Sequence, residues 1–422
     1  MPAAFRPSQR ASWADGQPIS MLMSRALANP DLISLAAGFV DQETLPADET
    51  RQALQSLFAD PAAARAALQY GTTPGYPPLR QRLLDQALEG HPASCSRRAP
   101  TIDQVVLTAG SNQLLHLVLE SIADAGDIIL CAAPTYLVVL GTIANLGVRS
   151  VGVATDDQGM IPESLEATLT HLAATEELAR VRAIYLVTYF DNPRGITMPL
   201  KRLAQVVEIA HRWSRGTKIY VIADEAYRDL RYRGDDVPSA LTLDEDGDTV
   251  VVAGTFSKSY SPGVRVGWGI LPAAIVGPVC SQKGNIDFGS PNFCQHLMHR
   301  VLDQGLFTAH VERMCAGYRE KLQAMLQAME EELAGFPGAD WRRPDGGLYV
   351  WLGLPASIDS GPAGTLFDKA IEEGVLYVPG QYCYPSEGEP TKSNALRLSF
   401  GVQSAERIRE GIAALARALQ AQ

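Results

Sequence analysis

Residues 250–270 read VVVAGTFSKSYSPGVRVGWGI, and the rest of the chain can be read outward from them. An apolar run, Val250–Ala253, enters a loop broken by Gly254, Pro262 and Gly263, and a second run, Val264–Ile270, leaves it. The first run does not alternate with polar residues, so it reads as a strand buried on both faces, as in a parallel sheet covered by helices; the second also reads as a strand. The loop carries Ser257, Lys258 and Arg265: two cations and several hydroxyls at a strand end, a set suited to a phosphate. A lysine held among apolar neighbours and near a second cation has a lowered pKa and becomes a nucleophile towards carbonyls. A solvated basic loop is the plain alternative, because lysine is normally exposed.

The same texture recurs on both sides. Apolar runs stand at Val105–Leu107, Ile128–Ala132, Val148–Val153, Val181–Val187 and Ile219–Ala223. Helical patterns fall near Asn112–Ala123, Tyr136–Asn145, Pro162–Ala173, Leu200–Trp213 and Glu312–Leu333. Alternating strands and helices predict an α/β sheet with helices on both faces. After about residue 300 the pattern changes to a long helical segment, then GGLYVWLGLP and ALRLSFG, which predicts a smaller α+β domain sharing a long helix with the first. Open α/β sheets bind ligands beyond the carboxyl ends of their strands, so the chemistry is expected in those loops.

The chain has 422 residues, 46% hydrophobic and 20% charged, which predicts a soluble globular protein of two or three domains, or of one large core with a satellite. Lys+Arg 36 against Asp+Glu 47 leaves a net charge of −11, which opposes a nucleic-acid partner. The 6 cysteines are irregularly spaced with no C-x-x-C pair, which predicts reduced thiols in a cytoplasmic protein. MPAAFRPSQRASWADGQ at the start has no continuous apolar segment, so no secretory leader is expected. The uncharged stretch 128–148 is long enough to span a bilayer, but Pro134, Gly141, Asn145 and Gly147 interrupt it. It reads instead as a strand, a turn at Pro134–Tyr136 and a helix, with no membrane partner.

Four further motifs carry polar groups at strand ends. YVIADEAYRDL (220–230) delivers Asp224, with Tyr227 three residues on; a carboxylate there can ligate a metal, cap a helix or pair with a ring nitrogen, and no second metal motif lies nearby. VVLTAGSNQLL (105–115) ends a strand at Thr108, turns at Gly110, and offers Ser111 as a cap for a helix starting near Asn112, a ready anion site. YFDNPRG (189–195) is a turn after RAIYLVT. In ALRLSFG (395–401), alternation sets Leu396, Leu398 and Phe400 against Arg397 and Ser399, so Arg397 serves either as a carboxylate clamp or in an exposed edge salt bridge.

In this order and spacing the motifs resemble the class I/II aminotransferases, pyridoxal-phosphate enzymes of fold type I. GTFSKSYSPGVRVGW resembles their Schiff-base lysine loop, and ADEAY their pyridine-nitrogen carboxylate motif. LTAGSNQLL, APTY, DNPRG and LRLSFG resemble the remaining blocks, while LQYGTTPGYPPLRQRL and ISLAAGFVDQETLP extend the likeness towards the N-terminus. The nearest likeness is to the 2-aminoadipate and kynurenine aminotransferase branch, which also supplies the effector domain of MocR-type regulators. Departures are Arg194 in place of a small residue in the Asn-Pro-x-Gly turn, Phe190-Asp191 before it, and Asn112 where glutamine is common.

The resemblance implies an N-terminal segment (1–45) packing with the small domain, a large cofactor-binding domain (46–300) and a C-terminal small domain (301–422). It implies pyridoxal 5'-phosphate as cofactor, with Lys258 as Schiff-base and proton-shuttling residue and Asp224 holding the pyridine nitrogen protonated. It further implies that Asn192 and Tyr227 hydrogen-bond the ring's phenolate oxygen and that Tyr136 stacks on the ring. Ser111, Asn112, Ser257 and Arg265 would hold the phosphate. Tyr70 would reach the phosphate from the other subunit of a homodimer, and Arg397, with Gly38 and Asn192 beside it, would bind an amino or 2-oxo acid substrate. ISMLMSRALANP (19–30) would touch the substrate side chain; it offers Met and Leu with Arg25 as its one charge, which points to an apolar or aromatic side chain. Transamination is the expected reaction; elimination, decarboxylation or cyclisation on the same cofactor is the alternative. A regulator is disfavoured because only about 45 residues precede the large domain, too few for a DNA-binding domain. A noncatalytic scaffold would not be expected to keep Lys258 and Asp224 together.

Overall fold

The computed structural model describes residues 5–14, 18, 22, 29, 31–89 and 99–421. Of the segment 19–30 read above as touching the substrate, only Leu22 and Asn29 fall within these; Arg25 lies outside the described residues.

The apolar runs pair into one large twisted sheet. Its order is Glu387–Gly388, Arg149–Asp156, Ile128–Ala133, Val181–Val187, Tyr220–Asp224, Val250–Thr255, Gly267–Ile270 and Val105–Thr108. Neighbours are parallel as far as Val250–Thr255; Gly267–Ile270 then runs antiparallel to both of its neighbours. Alternate residues of one strand enter opposite cores. Ile129 and Cys131 pack with Leu114, Leu115 and Val118 of the helix Ser111–Ile122. Ile128 and Leu130 pack with Leu165 and Leu169 of Pro162–Ala174 and Leu203 and Val206 of Leu200–Trp213. Both faces are therefore covered, which is why these strands carry no polar alternation.

The second run of the opening stretch is shorter than its sequence predicts. Pro262–Val264 forms a 3-10 turn and Arg265 takes a left-handed conformation (φ 48°), so the strand begins only at Gly267. The stretch 128–148 folds as the strand Ile128–Ala133 and the helix Leu137–Asn145, and no helix among the described residues is long and apolar enough to cross a membrane.

The helix Leu306–Leu333, about 42 Å long at 1.5 Å per residue, buries Met314, Tyr318, Leu322, Met325 and Met329 at three- and four-residue spacing. It leads to a smaller antiparallel sheet ordered Asp340–Trp341, Tyr349–Gly353, Ala395–Ser399 and Val378–Pro379. Ile33–Ser34 pairs with Val375–Leu376 beside this unit. The short helix Gln9–Trp13 lies elsewhere: Arg10 pairs with Glu120 at 3.1 Å on the large-sheet side. Glu387–Gly388 returns from the C-terminal part to close the edge of the large sheet at Val151–Gly152.

Candidate active site

The parallel strands share one direction, so their carboxyl ends deliver side chains to one rim. Asp224 ends Tyr220–Asp224, Lys258 follows Val250–Thr255, Gly110 and Ser111 follow Val105–Thr108, Tyr136 follows Ile128–Ala133, and Asn192 follows Val181–Val187. Arg265 precedes the antiparallel strand Gly267–Ile270 and so reaches the same rim. A cleft of about 710 Å³ there is lined by Ser111, Asn112, Tyr136, Asp224, Tyr227, Ser257, Lys258 and Arg265, with Phe39, Val187 and Pro262 as apolar wall.

Lys258 is half-buried and donates from Nζ to the Gly38 carbonyl at 2.7 Å. Burial lowers its pKa, and Arg397 and Arg265 push the same way against Tyr349 and Asp224. Asp224 is buried; desolvation raises its pKa to about 6, opposed by the Tyr185 hydroxyl on Oδ2 (2.9 Å), the Ala226 N–H on Oδ1 (3.1 Å) and Lys258. A buried carboxylate so destabilised is suited to a cationic ring nitrogen, which would restore its charge.

Gly110, not Ser111, is the helix cap: it takes φ 87°, and Ser111 is the first helical residue. Among the described residues no side chain caps this end, which leaves its first N–H groups for an anion. A Cβ on Gly110 would stand 2.5 Å from Arg265 Nη2, and one on Gly267 would stand 2.5 Å from Ser111 N, so both glycines are needed for this close approach. The Arg265 guanidinium lies over the turn, donating to the carbonyls of Ala109 (2.8 Å) and Pro262 (3.1 Å). Thr255 Oγ1 accepts the Ser257 N–H (3.1 Å) and donates to its hydroxyl (2.9 Å). Helix end, guanidinium and hydroxyl make a cradle that fits a phosphate.

A hydrogen-bonded chain closes the other side. Arg397 is buried and donates from Nη1 to Asn192 Oδ1 (2.9 Å) and from Nη2 to the Ala36 carbonyl (2.7 Å). Asn192 Nδ2 approaches the Tyr227 hydroxyl (3.5 Å), and that hydroxyl lies 3.2 Å from Tyr349 Oη. The exposed-edge alternative for Arg397 is excluded, because the whole of Ala395–Ser399 is buried. Its Nε is buried without a partner among the described residues; an orphaned buried donor costs about 1–3 kcal/mol, and a carboxylate is the acceptor suited to it. Tyr136 Oη is 3.5 Å from Asn112 Oδ1, and burial pushes the phenol upward.

Tyr70 is not brought to the cleft of its own chain; it is 81% exposed, with its ring edge on Phe288. Arg194 does not line the cleft either. It pairs with Asp191 (3.3 Å) and donates to Thr155 Oγ1 (2.9 Å) and the Asp156 carbonyl (3.0 Å), tying its turn to the adjacent strand. Sequence reading missed Tyr185, Phe39 and Tyr349. Tyr185 could have been found: a phenol inside an apolar strand must reach a polar partner.

The aminotransferase class I and II family matches residues 30–415. The aromatic-amino-acid aminotransferase 1 of Thermococcus litoralis is 33% identical over 390 residues, covering 92% of this chain and 88% of its own. The 2-aminoadipate transaminase of Thermus thermophilus is 33% identical over 396 residues, with 93% and 91% covered. The kynurenine aminotransferase of Pyrococcus horikoshii, solved in complex with PMP, superposes with a TM-score of 0.88 at 31% identity, covering 98% of this chain and 97% of that one. A likeness running the length of the chain joins a cradle for phosphate to a lysine and a carboxylate sharing one cleft, and on both grounds the chain belongs to the class I and II aminotransferases, pyridoxal-phosphate-dependent enzymes of fold type I.

Proposed function

We propose that the residues on this rim divide the work of moving an amino group from an L-amino acid to a 2-oxo acid in two half-reactions. One observation carries the reading: Lys258, its pKa lowered, and Asp224, its pKa raised, line the same cleft. Groups whose environments push their pKa values towards neutrality mark the proton-handling pair. Pyridoxal phosphate, when bound, supplies a carbonyl for the amine and an electron sink for the charge left at Cα. Lys258 supplies the neutral nitrogen that takes the proton from Cα and returns it. Asp224 holds a proton at the ring nitrogen, while Asn192 and Tyr227 donate to the ring's phenolate oxygen. Tyr136 covers the ring face, and Ser111, Asn112, Ser257 and Arg265 hold the phosphate.

Arg397 clamps the substrate α-carboxylate beside Asn192 and Gly38. Lysine offers a point charge where arginine offers a fork. Arg397→Lys is therefore expected to weaken amino-acid binding by about ten- to a hundredfold. Half-reaction kinetics for an amino acid against its decarboxylated amine test this: the acid loses and the amine does not. Equal loss for both would mean that Arg397 only supports the fold.

An apolar or aromatic side chain is the favoured substrate class; Phe39, half-exposed on the cleft wall beside Gly38, supports it. The three-part division 1–45, 46–300 and 301–422 belongs to this reading, as does a cytoplasmic setting, which the unpaired thiols of Cys131, Cys280, Cys294, Cys315 and Cys383 support. Tyr70 completes the phosphate site of a second copy, and the exposed Leu68, Tyr70 and Phe288 favour such a dimer. Sedimentation at assay concentration is expected to show a dimer; a stable, fully active monomer would overturn this part of the reading.

A further inference from the structure

Tyr349 opens the strand Tyr349–Gly353 of the smaller sheet and is 1% exposed. Its hydroxyl lies 3.2 Å from that of Tyr227, and its ring centre lies 4.3 Å from the guanidinium carbon of Arg397. Gly38 leaves room for the hydroxyl, since a Cβ there would stand 2.5 Å from it. One side chain from the smaller sheet thus touches both the residue assigned to the ring oxygen and the residue assigned to the substrate carboxylate.

The direction of the protons follows from counting donors. Arginine only donates, so Asn192 must turn its Oδ1 to Arg397 and its Nδ2 to Tyr227. The Tyr227 oxygen is then an acceptor for Asn192, and Tyr227 has a single proton of its own. If Tyr227 gave that proton to Tyr349, it would have none left for the cleft. If Tyr349 donates instead, the Tyr227 oxygen accepts twice and its proton points into the cleft.

We propose that Tyr349 is a positioning residue of the transamination site: its hydroxyl donates to Tyr227 and so aims the Tyr227 proton at the ring's phenolate oxygen, while its ring braces the Arg397 guanidinium. The inference rests on the role given to Tyr227 above. With the cofactor bound, a donor at its phenolate oxygen would favour the ionised oxygen and so lower the pH at which the visible absorbance titrates. Linked hydrogen bonds strengthen one another by about 10–30% each.

The test is an absorbance–pH titration of the holoenzyme for wild type, Tyr227→Phe, Tyr349→Phe and Tyr349→Leu, with half-reaction kinetics on an amino acid and its decarboxylated amine. Tyr227→Phe is expected to raise the spectral midpoint, and Tyr349→Phe to raise it by roughly a tenth to a third as much. Tyr349→Phe keeps the ring and should leave the preference for acid over amine unchanged. Tyr349→Leu should reproduce the spectral shift and also cut that preference by about three- to tenfold, because the cation–π contact is gone. A midpoint that moves in Tyr227→Phe but not in Tyr349→Phe overturns the hydroxyl's role and leaves Tyr227's intact. No movement in Tyr227→Phe removes the role of Tyr227 and this inference with it. Equal loss for acid and amine in Tyr349→Leu overturns the bracing.

Discussion

Lys258→Ala is expected to lower turnover by at least about four orders of magnitude, because proton transfer and covalent activation are lost together. Among the described residues, the half-buried Nζ on the Gly38 carbonyl is the one amine that the cleft lining presents beside Asp224. Cofactor binding should survive as a noncovalent complex, since the phosphate cradle of Gly110, Ser111 and Arg265 does not depend on Lys258. Borohydride reduction of the wild-type holoenzyme should attach the cofactor mass to the peptide carrying Lys258. Label on any other lysine would sink the assignment.

Asp224→Asn is expected to cut kcat/KM by about a hundred- to a thousandfold while leaving the apoprotein at least as stable at neutral pH. The two effects have one cause. Burial lifts the Asp224 pKa from 3.8 to about 6, so between those values the folded chain binds more protons than the unfolded one. The stability of the apoprotein therefore falls as pH rises from about 4 to 6 and stays low above that. The amide removes this loss, which amounts to about 3 kcal/mol at most, reduced by whatever hydrogen bonding to Tyr185 and Ala226 the amide gives up. The amide also removes the charge that keeps the ring nitrogen protonated. Activity assays and melting curves of apoprotein from pH 4 to 8 check both halves. Near-normal kinetics, or an apoprotein clearly less stable at pH 7, would count against this account of Asp224.

The strands and the rim residues were legible because their signals are local. Val181–Val187 and Leu200–Trp213 run as their apolar pattern predicts, and Asp224 and Lys258 stand directly at or after strand ends. The helices Ala47–Ala59, Pro77–Leu88 and Ala273–Asp287 left weaker marks; the last carries Pro278 and buries only Ile275, Val279 and Lys283. The left-handed turn at Arg265 hid the true start of its strand inside an apolar run. Alternation in ALRLSFG separated Arg397 from the Leu396, Leu398 and Phe400 face but left a carboxylate clamp and an exposed edge salt bridge both open; Arg397 is buried against Asn192 and the Ala36 carbonyl. Tyr349 gave no local signal at all, because its partners are distant in sequence: Arg397 lies on the strand Ala395–Ser399 that pairs with Tyr349–Gly353, and Tyr227 follows Tyr220–Asp224 of the large sheet.

The strand Glu387–Gly388 gives the chain a timetable. It pairs with Val151–Gly152, Glu387 also grips Arg149, and glycine at 152 and 388 lets the two backbones meet closely. During synthesis the strand Arg149–Asp156 is made early and pairs at Thr155–Asp156 with Gly159–Met160, yet its edge at Val151–Gly152 gains its partner only some 240 residues later, about 10–50 s at ordinary elongation rates. Until then the nascent chain carries a bare edge able to pair with another copy. Any halt in translation before residue 388 leaves that edge open, so the large sheet is finished only once the C-terminal part of the chain has been made.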